Sequence, residues 1–338
     1  MPYRKVFKRI KKLWADAEIR RDAAVGAFSL VLAIALAIHW RSGERIAPSP
    51  PGPKVPVVQH EALPPRSVVA PPRAALAPRV PISQPPISQP APPKHVVTEP
   101  PAWKRNAVVP AATPEAPMIA IVIDDMGANR NGTERAMSLP APITFAFLPY
   151  TRNVTSSVKL ARERGHEILV HVPMEPVGKD DPGPHALRVG ETDEQLRTDL
   201  AWCLDQFGGY VGINNHMGSR FTADAKGMAL VMATLKDRGL LFLDSRTSAQ
   251  TQAANAARAA GLPTLSRDVF LDNDEEGGEV KAELGRLEQI ALKHGVAIAI
   301  GHPHPVTLDM LEKWIPDARA RGFTLVPLTA ALKHREAS

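Results

Sequence analysis

The sequence contains very little cysteine: Cys203 is the only one among its 338 residues. A single thiol excludes an internal disulfide framework and a zinc site built from cysteines. Aromatic residues make up only 5% of the chain, and there is no stripe of interleaved basic and aromatic residues of the kind that binds single-stranded nucleic acid. A glycine-rich phosphate loop is also missing. These absences argue against nucleic-acid binding and against nucleotide chemistry.

The positive charge of the chain is concentrated near its start. The net charge is +6, and basic residues crowd residues 1–22, which favours contact with anionic lipid. Residues 23–40 then form an apolar run with no Asp, Glu, Lys or Arg inside it and Trp40 at its far edge. Roughly 18–20 such residues can span a bilayer core, and the preceding basic residues place the N-terminus in the cytoplasm. We predict a basic cytoplasmic segment, 1–22, and a transmembrane signal anchor, 23–40.

This anchor predicts a single-pass protein of the inner membrane, with the C-terminal domain in the periplasm or outside the cell. A cleaved signal peptide is the main alternative. The run is long for one, and its end, His39-Trp40-Arg41, lacks the small residues of a cleavage site. A buried core helix is the other alternative, which the flanking basic cluster disfavours.

Residues 41–117 hold most of the 34 prolines, and the pentapeptide Pro-Ile-Ser-Gln-Pro occurs at 81–85 and again at 86–90. Proline cannot donate a backbone hydrogen bond, so this composition predicts a disordered, polyproline-like linker rather than helix or sheet. The linker serves either as a tether for the domain or as an inert spacer. It leaves residues 118–338 for one sizeable α/β domain.

Within that domain, strand and helix patterns alternate, as in a parallel α/β fold. The first strand pattern, Ile119–Ile123, is an apolar run that indicates a buried parallel strand. Asp124 and Asp125 follow it directly, and Gly127 then allows the chain to turn. Two carboxylates beside a buried strand are costly unless a group such as a metal ion compensates them. The alternative is a solvated turn in which Asp125 caps the next helix.

Polar residues follow most of the later strand patterns too. Parallel strands bring their carboxyl ends together, so these residues predict one pocket at one end of the sheet. They are His171 and Glu175, Asn215 and His216, Asp244 and Arg246, Asp272, and His302 and His304.

Histidine and aspartate without cysteine suit a zinc-type divalent ion with an open position for water. A carboxylate that is not a ligand could then take a proton from water, and a histidine could protonate a leaving group. This inventory predicts hydrolysis of an amide or ester. Each residue also has a simpler interpretation, since His171 and His216 could be structural histidines and Asp244 with Arg246 a local ion pair. Of the two histidines that flank Pro303, we expect His302 in the pocket.

Five motifs together resemble the divergent polysaccharide deacetylase family, a branch of the NodB-like carbohydrate esterases. They are Ile-Asp-Asp-Met-Gly at 123–127, His-Val-Pro-Met-Glu-Pro at 171–176, Asn-Asn-His-Met-Gly-Ser at 214–219, Asp-Ser-Arg-Thr at 244–247 and Ile-Gly-His-Pro-His at 300–304. The resemblance covers about residues 118–332. It implies a deformed (β/α) barrel that removes acetyl groups from a polysaccharide with a divalent metal, often zinc.

The resemblance also implies roles for single residues. Asp124 would be the catalytic base, Asp125 a metal ligand and His302 the general acid. The wider group's second motif has two histidines four residues apart, and here His171 is followed at the second position by Glu175. Either Glu175 or, as we favour, His216 would then complete the ligand set of Asp125 and His171.

These observations predict a membrane-anchored envelope hydrolase that deacetylates a polysaccharide or peptidoglycan glycan. Because of the change at Glu175, a non-catalytic glycan-binding or scaffold protein is the alternative. Cleavage of another C–N bond, such as a peptide amide, would use the same residues.

Overall fold

The computed structural model describes residues 99–110, 116–274 and 276–337. The basic segment 1–22, the predicted anchor 23–40 and most of the predicted linker lie outside these ranges. In the part of the chain that is described, no helix has the length and apolar character needed to cross a bilayer.

The described ranges contain nine strands, nine α-helices and one short 3-10 helix, Phe221–Ala223. The strands are β1 (Met118–Met126), β2 (Thr144–Phe147), β3 (Glu167–Met174), β4 (Gly212–Met217), β5 (Leu241–Asp244), β6 (Thr264–Ser266), β7 (Val269–Phe270), β8 (Val296–Gly301) and β9 (Thr324–Leu325). The helices are α1 (Ala102–Arg105), α2 (Arg130–Ala136), α3 (Val154–Glu163), α4 (Asp193–Leu204), α5 (Ala225–Asp237), α6 (Ala253–Ala260), α7 (Gly277–His294), α8 (Pro305–Ala320) and α9 (Leu328–Ala337).

All strand pairs of this sheet are parallel, as the alternating pattern predicts. The strand order is β6-β5-β4-β3-β2-β1-β8-β7, and β9 pairs with the start of β1. The two outermost strands, β6 and β7, are consecutive in the sequence. Arg267 and Asp268 join them. The backbone N–H of Arg267 donates to the carbonyl of Asp244 in β5, and that of Asp268 donates to the carbonyl of Ile298 in β8. The sheet therefore curls into a half-barrel, and its two outer strands are joined by the chain itself rather than by a ladder of hydrogen bonds.

The two faces of the sheet carry alternate residues of each strand, because side-chain direction alternates along a strand. Ile119, Ile121 and Ile123 of β1 pack in the outer cluster with the surrounding helices. Ala120 and Val122 belong to a separate inner cluster. At the carboxyl ends of the strands, the residues that face the inner side are polar. They are Asp124 of β1, His171 of β3, Asn214 and His216 of β4, Ser245 after β5 and His302 after β8. Strand alternation thus directs this polar set into the mouth of the barrel.

The amino-terminal end of the barrel is closed by residues that precede the first strand. Trp103 of α1 is 5% exposed and packs in the inner cluster. Its backbone N–H donates to Gly239, and Asn106 donates to the carbonyl of Tyr210. The predicted linker boundary at residue 117 is therefore too late, since residues 99–110 already pack on the domain. The sequence pattern missed them because a four-residue helix next to prolines has no detectable periodicity.

Replacing Trp103 with alanine should lower the free energy of unfolding by about 3–5 kcal/mol, the usual cost of emptying a buried tryptophan site. A chain starting at Met118 should lose at least as much stability, because it also lacks the hydrogen bonds of residues 103–108. Denaturant unfolding of the two variants beside the full chain measures both losses. Wild-type stability of the chain that starts at Met118 would contradict the proposed packing role.

Glu167, at the start of β3, lies at this same end of the barrel. Its side chain is fully buried and accepts hydrogen bonds from Thr329 N at 2.9 Å, Thr329 Oγ1 at 2.6 Å and Val108 N at 3.3 Å. Burial raises the pKa of this carboxyl. Glu167 therefore fastens the start of α9 and the segment around Val108 to the barrel.

We expect Glu167→Ala to destabilise the protein, because each buried donor left unsatisfied costs about 1–3 kcal/mol. Glu167→Gln should destabilise it less, since the amide keeps one acceptor oxygen. Denaturation midpoints measure this order. Zinc affinity should not change in either variant, because the candidate site lies at the other end of the strands, and a large loss of affinity would contradict the assignment.

Candidate metal centre and catalytic site

The two aspartates at the end of β1 point into the site by different means. Asp124 continues the inner-facing register of the strand. Asp125 has a positive φ of 53°, and the pairing with β2 shifts register between Ile123 and Met126. A Cβ on Gly127 would lie 2.3 Å from Thr151 Oγ1, so only glycine fits the turn that follows. The bend brings both carboxylates to one pocket, and Met217 and Arg246 have similar positive φ values beside it. Such strain is typical of functional sites.

Three potential ligand atoms form a small triangle in this pocket. Asp125 Oδ1 lies 2.9 Å from His216 Nδ1 and 3.2 Å from His171 Nε2, and the two nitrogens are 3.2 Å apart. His171 is 1% exposed, so its ring is held within the protein. The atoms come from β1, β3 and β4, whose carboxyl ends meet here.

The triangle fits a divalent ion such as zinc. Ligands about 2.0–2.1 Å from a tetrahedral zinc ion lie about 3.3–3.4 Å apart, close to the observed separations. Asp125 Oδ1 is buried without an aligned hydrogen-bond donor, although both histidine nitrogens are near. Burial raises the pKa of Asp125, but its proximity to His171 and His216 outweighs burial and holds the pKa well below its usual range. The carboxylate is thus ionised and available to a cation.

Asp124 lies beside the triangle and is 2% exposed. Its Oδ1 accepts a hydrogen bond of 2.8 Å from Asn214 Nδ2, and its Oδ2 is 3.7 Å from His171 Nε2. Burial dominates the shift of its pKa, which is raised in spite of the nearby histidines. A raised pKa suits a carboxylate that must take up a proton.

Asn214 is the residue of this site that the sequence analysis missed. It is fully buried, and its Oδ1 lies 2.8 Å from His171 Nδ1 while its Nδ2 donates to Asp124. The signal that could have found it is strand alternation, because Asn214 lies two residues from His216 and therefore shares its face.

His302 follows β8, which pairs with β1 on the side away from β2 and β3. Its Nδ1 lies 3.0 Å from Asp272 Oδ1, and Asp272 also accepts hydrogen bonds from the His302 backbone and from Thr307. Burial lowers the pKa of His302, but the hydrogen bond and charge of Asp272 outweigh it and raise the pKa to about 9. The ring is therefore protonated at neutral pH. His304 lies next to it, and Asp272, His302 and His304 form a second group whose potential ligand atoms lie within 4.8 Å of one another.

Glu175, the alternative ligand, is engaged elsewhere. Its Oε1 pairs with Arg220 Nη1 at 2.9 Å, and its Oε2 accepts from Val189 N at 2.7 Å. The structure therefore brings His216, rather than Glu175, to Asp125 and His171.

Two other predicted pocket residues, Asn215 and Asp244, do not contact the triangle and instead hold the turns that border it. Asn215 faces away from Asn214 and accepts a hydrogen bond from Ser245 N at 3.0 Å. Asp244 accepts from the backbone N–H of Arg246 at 2.8 Å and from Thr251 Oγ1 at 3.0 Å. Burial raises the pKa of Asp244. The contact between Asp244 and Arg246 that we considered as an ion pair thus involves the arginine backbone, and it holds the turn after β5.

Comparison with known proteins agrees with this architecture. The chain is 35% identical over 197 residues to the uncharacterized protein YibQ of Escherichia coli K12, covering 58% of this chain and 62% of that protein. It is 34% identical over 194 residues to an uncharacterized protein of Haemophilus influenzae, covering 57% and 69% of the respective chains. The chain thus spans less than two thirds of the length of YibQ.

A solved structure has the same fold. The uncharacterized protein ATU2773 from Agrobacterium tumefaciens C58 is 30% identical, with a TM-score of 0.66 over 69% of this chain and 95% of that chain. A family model described as divergent polysaccharide deacetylase matches residues 121–332, which include all the site residues described above. The chain therefore belongs to the divergent polysaccharide deacetylase family.

Proposed function

We propose that this protein is a zinc-dependent hydrolase that removes acetyl groups from the amide nitrogens of a polysaccharide or peptidoglycan glycan in the cell envelope. The observation that carries the proposal is the triangle of Asp125, His171 and His216, with Asp124 and His302 beside it. Membership of a deacetylase family supports the choice of an acetylated glycan as substrate.

Each residue of the site has a separate role in the proposed reaction. Asp125, His171 and His216 would hold the ion, which supplies Lewis acidity to activate water and polarise the acetyl carbonyl. Asp124 takes a proton from the attacking water, and His302 donates a proton to the amide nitrogen. The water oxygen bonds to the acetyl carbon and the C–N bond breaks, which releases acetate and leaves a free amine on the sugar. Asp272 keeps His302 protonated and fixes its ring through Nδ1.

We infer that the domain works from a membrane anchor at residues 23–40, through the proline-rich linker. Residues 99–110 join the barrel near Glu167 and Gly239, at the amino-terminal ends of β3 and β5. The site lies at the opposite, carboxyl-terminal ends. The tether would therefore join the domain at the end opposite the site.

The presence of Glu175 at this position favours a second candidate function, which is to bind a glycan without cleaving it. Glu175 stands where the wider group's second histidine is expected, and it is occupied by Arg220 and Val189. Under this alternative, the pocket binds an acetylated glycan but does not cleave it.

The test is to incubate the zinc-loaded full chain with N-acetylated glucosamine oligosaccharides and with purified peptidoglycan, and to measure acetate and new free amines. Equal amounts of both, absent in Asp124→Asn, would support the deacetylase. New amines without acetate would overturn deacetylation in favour of another C–N bond. Glycan binding with neither product would overturn catalysis in favour of the second candidate.

A further inference from the structure

Asn214 makes an unusual set of contacts for a buried amide, because both ends of its side chain touch the site. Its Oδ1 lies 2.8 Å from His171 Nδ1. Its Nδ2 lies 2.8 Å from Asp124 Oδ1 and 3.2 Å from Ser245 Oγ. The side chain therefore bridges one corner of the metal triangle to the candidate base.

The direction of these hydrogen bonds follows from the chemistry of the partners. In its role as the base Asp124 is a carboxylate, which can only accept, so the NH2 group of Asn214 faces Asp124. The amide oxygen then faces His171, and an oxygen can only accept. Nδ1 of His171 must therefore carry a proton, and Nε2 is the nitrogen directed at Asp125 and His216.

We propose that Asn214 is a positioning residue that holds His171 in the tautomer able to bind the metal and, through its other end, holds Asp124 in place. The inference rests on the proposed function of this site. Outer partners of metal-bound histidines fix the ring orientation and tautomer, and their loss typically costs about 10–100-fold in metal affinity or activity. Asn214 therefore has two roles, one toward the metal ligand His171 and one toward the base Asp124. Different substitutions can remove these roles separately.

Asn215 provides a matched control on the same strand. It is also an amide and is 1% exposed, but its hydrogen bonds go to Ser245 N, Met217 O and Thr247 Oγ1. Both Asn214→Ala and Asn215→Ala remove buried hydrogen bonds and should lower the melting temperature of the full chain. Only Asn214→Ala removes a partner of His171.

The first experiment measures zinc affinity of the full chain by competition with a chelator. We expect Asn214→Ala to bind zinc about 10–100-fold more weakly than wild type and Asn215→Ala to bind it like wild type. Nitrogen NMR of the imidazole groups in the metal-free protein, with His171→Gln to assign the signal, should show a proton on Nδ1 of His171. That signal should lose its protection from exchange in Asn214→Ala only.

The second experiment uses Asn214→Asp, which separates the two ends of the side chain. An aspartate can still accept from His171 Nδ1–H but has no N–H for Asp124, and two adjacent carboxylates repel each other. We expect zinc affinity near the wild-type value, retention of the His171 signal, and acetate release as low as in Asn214→Ala. This pattern would not result from a general loss of folding.

The outcomes distinguish the inference from the proposed function. If wild type binds no zinc or releases no product, the proposed function fails, but the NMR signal still tests the Asn214–His171 contact. If wild type binds zinc and Asn214→Ala binds it equally well, or if Asn215→Ala is weakened to the same degree, the positioning role is overturned. A His171 ring without a proton on Nδ1 would overturn it as well.

Discussion

Replacing His216 with alanine should abolish tight zinc binding, whereas replacing Glu175 with alanine should leave it intact. His216 Nδ1 is 2.9 Å from Asp125 Oδ1 and completes the triangle of ligand atoms. Losing a ligand should cost more than the roughly 10–100-fold loss typical of an outer partner. Glu175 instead pairs with Arg220 and Val189, so its loss should reduce stability rather than metal affinity.

Elemental analysis and zinc titration of the full chain measure this difference, with Asp125→Ala as a second ligand variant. We expect about one tightly held ion per wild-type chain and per Glu175→Ala chain, and none in the two ligand variants. Loss of zinc in Glu175→Ala with retention in His216→Ala would show that the ligand set follows the wider group's motif position instead. Because hydrolysis depends on the ion, the ligand variants should also release no product.

His302→Gln should lower the rate of acetate release by about 10²–10⁴-fold, the usual contribution of a general acid, without weakening zinc binding. The glutamine cannot protonate the leaving nitrogen. This prediction separates His302 from the ligands, although His302 is part of the second group of potential ligand atoms with Asp272 and His304. A loss of zinc in His302→Gln would place it in a metal site and would contradict its assignment as the acid.

The pH profile tests the same residue through Asp272. A general acid must carry its proton, so the rate should fall as the pH rises through the pKa of His302, which is raised to about 9. Asp272→Asn removes the charge that raises this pKa. The alkaline limb of the profile should therefore move to lower pH, while Asp309→Asn, an exposed aspartate paired with Arg135, should leave it unchanged. An alkaline limb unaffected by Asp272→Asn would exclude His302 as its source.

Much of the candidate site could be predicted because parallel strands all present their carboxyl ends on one side. The apolar runs of β1, β3, β4 and β8 were visible in the sequence, and the structure brings Asp124, Asp125, His171, His216 and His302 together at that end. The prediction that Asn215 lies in the pocket beside His216 was less accurate, because Asn214 is the residue of β4 that contacts the site. A shift of one residue reverses the side that a strand residue faces, and it is Asn214 that shares the face of His216.

The sequence alone could not decide between Glu175 and His216, because both follow strands that end at the site. The choice depends on contacts between distant segments: Arg220 and Val189 N hold Glu175 at the rim, while the bend at Asp125 turns that carboxylate toward His216. The pairing of Asp272 with His302 is likewise settled by sheet order, which brings the end of β7 beside β8.

The amino-acid sequence by itself determined the parallel α/β fold, the end of the barrel that holds the site, and the residue types available for chemistry, because these follow from local hydrophobic pattern and strand direction. Tertiary structure alone decided the metal triangle, the bridging position of Asn214, and the start of the domain at Trp103 rather than Met118. Each of these rests on side chains from separate strands or segments meeting within hydrogen-bonding or packing distance. Such meetings depend on register and backbone bends that local sequence does not specify.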